Sequence, residues 1–366
     1  MKDNVINVLH VVSKLDAGGV EKWIIDLAKL PTVRCNHVVL SVSGSKGVWD
    51  EKMQKGSVLH HPNFKKGKLK FIREFYALVK SGEYDVVHAH LYQFSMFLVV
   101  AAALARVPVI VSSHNDKKAL RSKRYGSRLI ESLRAYVSSF IFDRLATVRI
   151  AASVDAGNDL FRFGDFVVVH CGVLMNTLPA SLPAKRKGPD DKIKMISIGS
   201  LTEQKNHAFL IELASELKRR GNLFFVIEVY GEGALRQNLE QMAMKMSVSD
   251  CIRFPGLTDS VLQKLIEADV FLFPSIYEGL GLAFIEAQSV GISCVVSDAI
   301  PLEADVAKEC ITRLPLNVSE WADALESSLS LAGPQQAYVC NSKMLASDFN
   351  ILNSKIKIES IYEALC

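Results

Sequence analysis

Phe273-Pro274-Ser275-Ile276-Tyr277-Glu278-Gly279-Leu280-Gly281-Leu282-Ala283-Phe284-Ile285-Glu286-Ala287 is the stretch that decides the fold. It follows Asp269-Val270-Phe271-Leu272-Phe273, an apolar run with the length and branching of a buried strand. It leads into a periodic segment that predicts a helix to Val290. A glycine-rich turn therefore lies at the carboxyl end of a strand, the edge at which open α/β sheets bind ligands. Gly279 and Gly281 let backbone amides approach an anion, and the helix start at Leu282 and Ala283 leaves N–H groups without intrahelical partners. The turn suits a phosphate.

Two glutamates flank that place. With a helix beginning near Gly281, Glu286 lies about one turn inside, roughly 6 Å along the axis from Leu282. There it can accept hydrogen bonds from the paired hydroxyls of a ribose. Glu278 stands outside the helix, on the other side of the phosphate position, where a second polyol can reach it. Ribose, diphosphate and sugar together make a nucleotide sugar.

In the context Phe-Pro-Ser-x-x-Glu-Gly-x-Gly-x-x-x-x-Glu-Ala, Glu278 and Glu286 resemble the paired-glutamate motif of the family 4 retaining glycosyltransferases. Two solvated carboxylates on a helix end would need neither Gly279 nor Gly281. The resemblance implies a GT-B fold, with two Rossmann-like parallel-sheet domains facing a central cleft, Glu278 orienting the transferred sugar and Glu286 anchoring the ribose. Val295 to Glu303 resembles the exopolysaccharide and O-antigen transferases in particular.

The chain of 366 residues has room for two such domains, and 49% apolar with 22% charged residues indicates a globular protein. Its seven scattered cysteines, with no Cys-x-x-Cys pair, predict a reduced compartment and no structural zinc. The first strand starts directly after Met-Lys-Asp-Asn, so no secretory leader is expected. The longest apolar run, Phe94 to Ala105, is too short to span a bilayer and is expected to be a buried helix. A cytoplasmic protein, peripheral at most on an inner membrane face, is the expectation.

Charge is unevenly placed. Residues 1–180 carry 25 Lys and Arg against 15 Asp and Glu, whereas the remainder carries 18 against 24. Two basic patches, Lys65 to Arg73 and Lys117 to Arg128, contain interleaved apolar residues such as Phe71 and Leu120. That composition suits an anionic membrane surface as well as a solvated face; no nucleic-acid partner is expected.

Near the start, Val5 to Val12 reads as a strand and Gly18-Gly19 opens a helix from Val20 to Leu30. No Gly-x-Gly-x-x-Gly fingerprint is present, which disfavours a dehydrogenase. The segment Leu-Asp-Ala-Gly-Gly-Val-Glu resembles the family's first loop, which implies that Gly18 and Gly19 close over the donor diphosphate. His88, His90 and His114 fall at strand ends without acidic companions, so no metal site is expected. The resemblance places His114 beside the transferred sugar, and His88 and His90 near the acceptor.

The second domain opens on strand Ile193 to Ile198 and the turn Gly199 to His207. By resemblance this loop supplies an arginine and a lysine to the donor phosphates. Lys205 matches, and Ser200 stands where the arginine would be. Gly231, Arg253 and Phe254 fall in turns that form the family's base pocket. The expected domains are 1–178 for the acceptor, with a returning helix over about 349–366, and 190–348 for the nucleotide sugar, joined by a Pro-rich, charged linker 179–189.

No Asp-x-Asp is present, and the expected reaction uses no cofactor or metal. Its partners are a nucleotide-sugar donor, UDP favoured over GDP, and a glycan or polyprenyl-linked glycan acceptor. A GT-B-shaped epimerase or a non-catalytic nucleotide-sugar-binding module are the alternatives. A phosphorylase would need a pyridoxal-phosphate lysine motif that is not recognised here.

Overall fold

The computed structural model describes residues 5–16, 18–31, 34–60, 67–114, 128–179, 192–327 and 334–366. The chain divides into two compact units, Met1–Leu174 with Ile351–Cys366, and Met175–Asn350. Most of the linker expected over 179–189, and Lys65, Lys66 and the run 117–124 of the basic patches, lie outside the described residues.

The first unit is built on a parallel sheet of seven strands: β1 (Ile6–Val12), β2 (Cys35–Ser41), β3 (Val58–His60), β4 (Val86–Ala89), β5 (Val109–Ser113), β6 (Val148–Ala151) and β7 (Val167–Val168). Their order is β3-β2-β1-β4-β5-β6-β7. Helices α1 (Gly19–Lys29), α2 (Lys68–Lys80), α3 (Ser95–Ala105), α4 (Arg128–Leu145) and α5 (Val154–Leu160) intervene. Val8, Leu9 and Val11 of β1 are all fully buried, as a strand covered on both faces requires. The expected apolar helix is α3, with Leu98, Val99, Ala101 and Ala102 buried, and it ends at Arg106 in the left-handed region (φ 63°) two residues before Pro108.

Helix α4 runs to Leu145 and β6 begins three residues later, at Val148. Thr147 Oγ accepts from Val109 N at 2.9 Å and marks the break. Arg149 is accommodated in β6 by its 2.6 Å bond to Asp143.

The second unit has a six-stranded parallel sheet: β8 (Ile193–Ile198), β9 (Phe225–Tyr230), β10 (Ile252–Gly256), β11 (Val270–Phe273), β12 (Ser293–Ser297) and β13 (Ile311–Leu314), in the order β10-β9-β8-β11-β12-β13. Helices α6 (His207–Arg220), α7 (Arg236–Lys245), α8 (Val261–Glu267), α9 (Leu282–Ser289), α10 (Val318–Ser327) and α11 (Pro334–Ala346) cover it. Met195, Ile227 and Leu272 pack with Phe209, Leu213 and Trp321 in its core. Residues 175–178, counted with the first domain from sequence, group with this unit. Asn341 of α11 holds them, donating to Asn176 O at 3.0 Å.

The last helix, α12 (Ile351–Glu363), belongs to the first unit. There Trp23 donates to Ser354 Oγ at 3.1 Å, and Tyr362 is fully buried. Strand order reverses between β1 and β4 in one unit and between β8 and β11 in the other. In such sheets the crevice beyond the carboxyl ends at the reversal is where ligands bind.

Candidate active site

In the second unit, the loops after β8 and β11 leave the sheet side by side at the reversal. Three consecutive residues of the first loop fasten it to the second. Gln204 Nε2 donates to Tyr277 O at 3.1 Å and its carbonyl accepts from Ile276 N at 2.9 Å, while Asn206, in the left-handed region, donates from Nδ2 to Pro274 O at 3.2 Å. Between them, Lys205 Nζ lies 2.6 Å from Glu278 Oε1 and 4.9 Å from the centroid of the Phe273 ring. Gly199 leaves room for the lysine stem: a Cβ there would stand 3.2 Å from Lys205 Cδ and Cε. Burial, with the Lys205 charge adding to it, pushes His207 at the head of α6 down to about 3, so that imidazole is neutral.

Gly281 precedes α9 with φ 79°, a conformation that favours glycine, and Gly279 is buried beside it. Leu282 and Ala283 at the helix start are partly exposed, whereas residues 284–289 are buried. As the first residues of α9, Leu282 and Ala283 have N–H groups with no intrahelical carbonyl to meet. Glu286 is 6% exposed, one turn into α9. Sequence reasoning assigned Lys205 to phosphate and Glu278 to a sugar separately; the fold makes them one ion pair.

The remaining residues of this unit expected at the donor fall on the turns after β8 and β9 and on β10, successive strands running out to the sheet edge. Ser200 is exposed. Gly231 (φ 152°) packs on the turn after β8, where a Cβ would be 1.9 Å from Gly199 O. The Phe254 carbonyl, expected to read a base, accepts from Arg236 Nη2 at 2.6 Å, and Arg236 also pairs with Glu232 and Glu240. Arg253 is exposed on the edge strand β10. Arg236 had no signal in sequence beyond its charge, since its carbonyl partner lies across the β9 turn.

In the first unit, Gly18 caps α1 and Gly19 opens it. The carboxylate of Glu21 folds back over this start: a Cβ on Gly18 would be 2.2 Å from Glu21 Oε2. Burial pushes that carboxyl above its usual range, against the bond from its own backbone that lowers it. The Gly18 amide, assigned to a diphosphate, donates within the loop to Asp16 O at 2.8 Å, with the Glu21 carboxylate close beside it.

His114 and His90 are joined at 2.9 Å, and His90 continues to His10 at 3.1 Å. His88 bonds Tyr362 Oη at 2.7 Å and Ser112 Oγ at 2.6 Å. His10, His88 and His90 each bring a ring nitrogen within 4.8 Å of the others, yet the nitrogens of all three engage neighbouring side chains. Burial holds His37 and His114 down to about 4 and, with mutual repulsion, His10, His88 and His90 well below their usual value. All five are neutral near pH 7. His10 and His37 escaped sequence reading; the usable signal was a histidine inside an apolar strand, which must find a partner when buried.

Two parallel, helix-covered sheets are the architecture of the GT-B glycosyltransferases. The chain belongs to glycosyltransferase family 4. The model described as Glycosyltransferase Family 4 matches residues 17–175, and that of the Glycosyl transferases group 1 matches residues 181–341. EpsF of Bacillus subtilis (strain 168), named as a glycosyltransferase, is 28% identical over 91% of this chain and 90% of its own. A UDP-Gal:alpha-D-GlcNAc-diphosphoundecaprenol alpha-1,3-galactosyltransferase of Escherichia coli is 28% identical over 63% of this chain and 62% of its own. Among solved structures, Anabaena HepE in complex with UDP-glucose superposes with a TM-score of 0.74 at 16% identity, covering 98% of this chain and 100% of that one.

Proposed function

We propose that the protein transfers a sugar, with retention at the anomeric carbon and without a metal ion, from a UDP-sugar to a glycan or lipid-linked glycan in cell-surface polysaccharide biosynthesis. The carrying observation is the Lys205–Glu278 pair beside the helix start at Gly281. It offers a cation and amide donors to a diphosphate and a carboxylate to sugar hydroxyls. Glu286 takes the ribose. The bond from anomeric carbon to phosphate oxygen breaks as the acceptor oxygen bonds the same face, and the acceptor's proton passes to the leaving phosphate. Lys205 and the amides of Leu282 and Ala283 stabilise the charge that develops there.

The names of the relatives support a UDP donor and an undecaprenyl-linked acceptor. A thermal-shift panel of nucleotide diphosphates tests the donor. At a hundred times its dissociation constant a ligand stabilises by ~2.7 kcal/mol, so UDP should raise the melting temperature where GDP does not. Incubation with UDP-sugar alone and with an undecaprenyl diphosphate-sugar then separates transfer from epimerisation; a changed free sugar nucleotide with no glycosidic product would sink the transferase.

No helix among the described residues is long and apolar enough to cross a membrane. Ile130, Leu133, Val137 and Phe140 lie exposed at helical spacing on α4, with Arg134 and Arg144 beside them. This stripe supports peripheral binding to an anionic membrane. Flotation with anionic liposomes, lost in Leu133→Ser/Phe140→Ser, tests it.

A further inference from the structure

Four histidines of the first unit form one hydrogen-bonded row. His37 Nδ1 lies 3.0 Å from His10 Nε2, His10 Nδ1 lies 3.1 Å from His90 Nε2, and His90 Nδ1 lies 2.9 Å from His114 Nε2. The row ends where His114 Nδ1 meets Cys171 Sγ at 3.4 Å. Every junction between rings joins a δ1 to an ε2 nitrogen. A neutral imidazole carries one N–H and one lone pair, so the four rings must all hold the proton on the same nitrogen. A single ring of the opposite kind would set two lone pairs, or two N–H groups, against each other at bonding distance.

Two polarities are possible, and the far end chooses between them. With all protons on Nε2, His37 would bury an N–H donor at an atom that has no partner among the described residues. The Lys355 ammonium, which acts on His37, disfavours further positive charge at that ring. With all protons on Nδ1, that end buries only a lone pair, and each N–H points along the row towards Cys171. Burial keeps the Cys171 thiol protonated, pushed up to about 12, so the row ends on a weakly bonding sulfur. His88 stands beside the row, its centroid 4.1 Å from that of His90, but its partners are the hydroxyls of Tyr362 and Ser112, which serve either polarity.

We propose that His37, His10 and His90 are positioning residues that hold His114 in its Nδ1–H tautomer, making His114 Nδ1 a hydrogen-bond donor for a ligand oxygen that takes the place of the Cys171 sulfur. The tautomer follows from the first unit alone. Only its use on an oxygen of a sugar rests on the reading of the protein as a glycosyltransferase.

The test uses the full chain with ring-¹⁵N histidine and long-range ¹H–¹⁵N correlation at pH 7. Expected are four neutral rings sharing the Nδ1–H pattern, assigned by the loss of one signal set in each single His→Gln variant. His10→Phe, which cuts the row, should shift His114 from one tautomer to a mixture. Tyr362→Phe, beside His88 and off the row, should leave His114 unchanged. An Nε2–H form at His114 in the unaltered protein overturns the proposal without any variant having to fold, as does an unmoved His114 in folded His10→Phe. Turnover is read separately: kcat roughly tenfold lower with KM for the donor held supports the link to transfer, and an unchanged kcat removes it. An inactive protein leaves the spectra decisive.

Discussion

Lys205 Nζ and Glu278 Oε1, 73 residues apart in the chain, lie 2.6 Å from each other with side chains only 16% and 7% exposed. The lysine loop follows β8 and the glutamate loop follows β11, and those strands are neighbours where the sheet order reverses. The carboxylate therefore neutralises the cation. On the proposed reading a donor diphosphate draws Lys205 away and frees Glu278 for the sugar. Lys205→Ala removes one partner of a mostly buried pair, and should cost about 3–5 kcal/mol of unfolding free energy. Lys205→Met with Glu278→Gln should cost less than either change alone. Urea unfolding of the three variants decides it; a strictly additive double variant would show that the pair is not coupled.

Turnover should respond to Lys205 by a separate route. Loss of a charged hydrogen bond to the leaving diphosphate is worth ~1.5–3 kcal/mol, or roughly ten- to more than a hundredfold in kcat. Full activity in folded Lys205→Ala would remove the lysine from the site.

Gly231 packs so closely on the turn after β8 that a Cβ would stand 1.9 Å from Gly199 O, and its φ of 152° is one that side chains rarely adopt. Gly231→Ala must therefore displace backbone rather than a side-chain tip. It should lower the melting temperature and weaken UDP binding together, because Gly199 leads into the lysine loop. A variant with native stability and native UDP affinity would show that the two turns are not coupled.

What could be read in the sequence was local. Strand, glycine turn and helix around Gly281 announce themselves through periodicity within a dozen residues, and both glutamates fall on that segment. The Lys205–Glu278 pair could not, since it depends on which strands become neighbours. The histidine row is less local still. His10 and His88 stand opposite each other in the β1–β4 register, and His37 arrives from β2 on the other side of β1. Each looked like an isolated residue in an apolar strand until the sheet was assembled. Arg236 and the back-folded Glu21 carboxylate escaped notice for another reason: charged residues near a helix start normally face water, and only the packed turn shows what they bind.

The buried histidines make the first unit sensitive to acid. Their pKa values are lower folded than unfolded, at about 4 for His37 and His114, so the unfolded chain binds more protons as pH drops below about 6.5. Stability present above pH 6.5 is lost as pH falls towards 4. Glu21 acts with the opposite sign: its raised pKa means that acidification through that range relieves a buried charge. The several histidines should dominate, and thermal unfolding should show a steep fall below pH 6.5 that is shallower in His37→Gln. A flat stability from pH 7 to 4.5 would mean that the rings are not buried as neutral groups.

Ser200 is exposed on the loop whose residues 204–206 are fastened to the turn before α9, at the position where the resemblance calls for an arginine. The described side chain closest in role, Lys205, is already paired with Glu278. Adding a cation that does not have to leave a carboxylate should strengthen diphosphate binding at little structural cost, because an exposed loop position accepts a long side chain. A charged hydrogen bond of ~1.5–3 kcal/mol corresponds to a dissociation constant for UDP lower by roughly tenfold or more in Ser200→Arg. The gain should shrink in high salt, where an exposed cation is screened, and Ser200→Gln should show little of it. Calorimetric titration at two salt concentrations measures both. If Ser200→Arg and Ser200→Gln bind UDP equally, the phosphate does not lie over this loop.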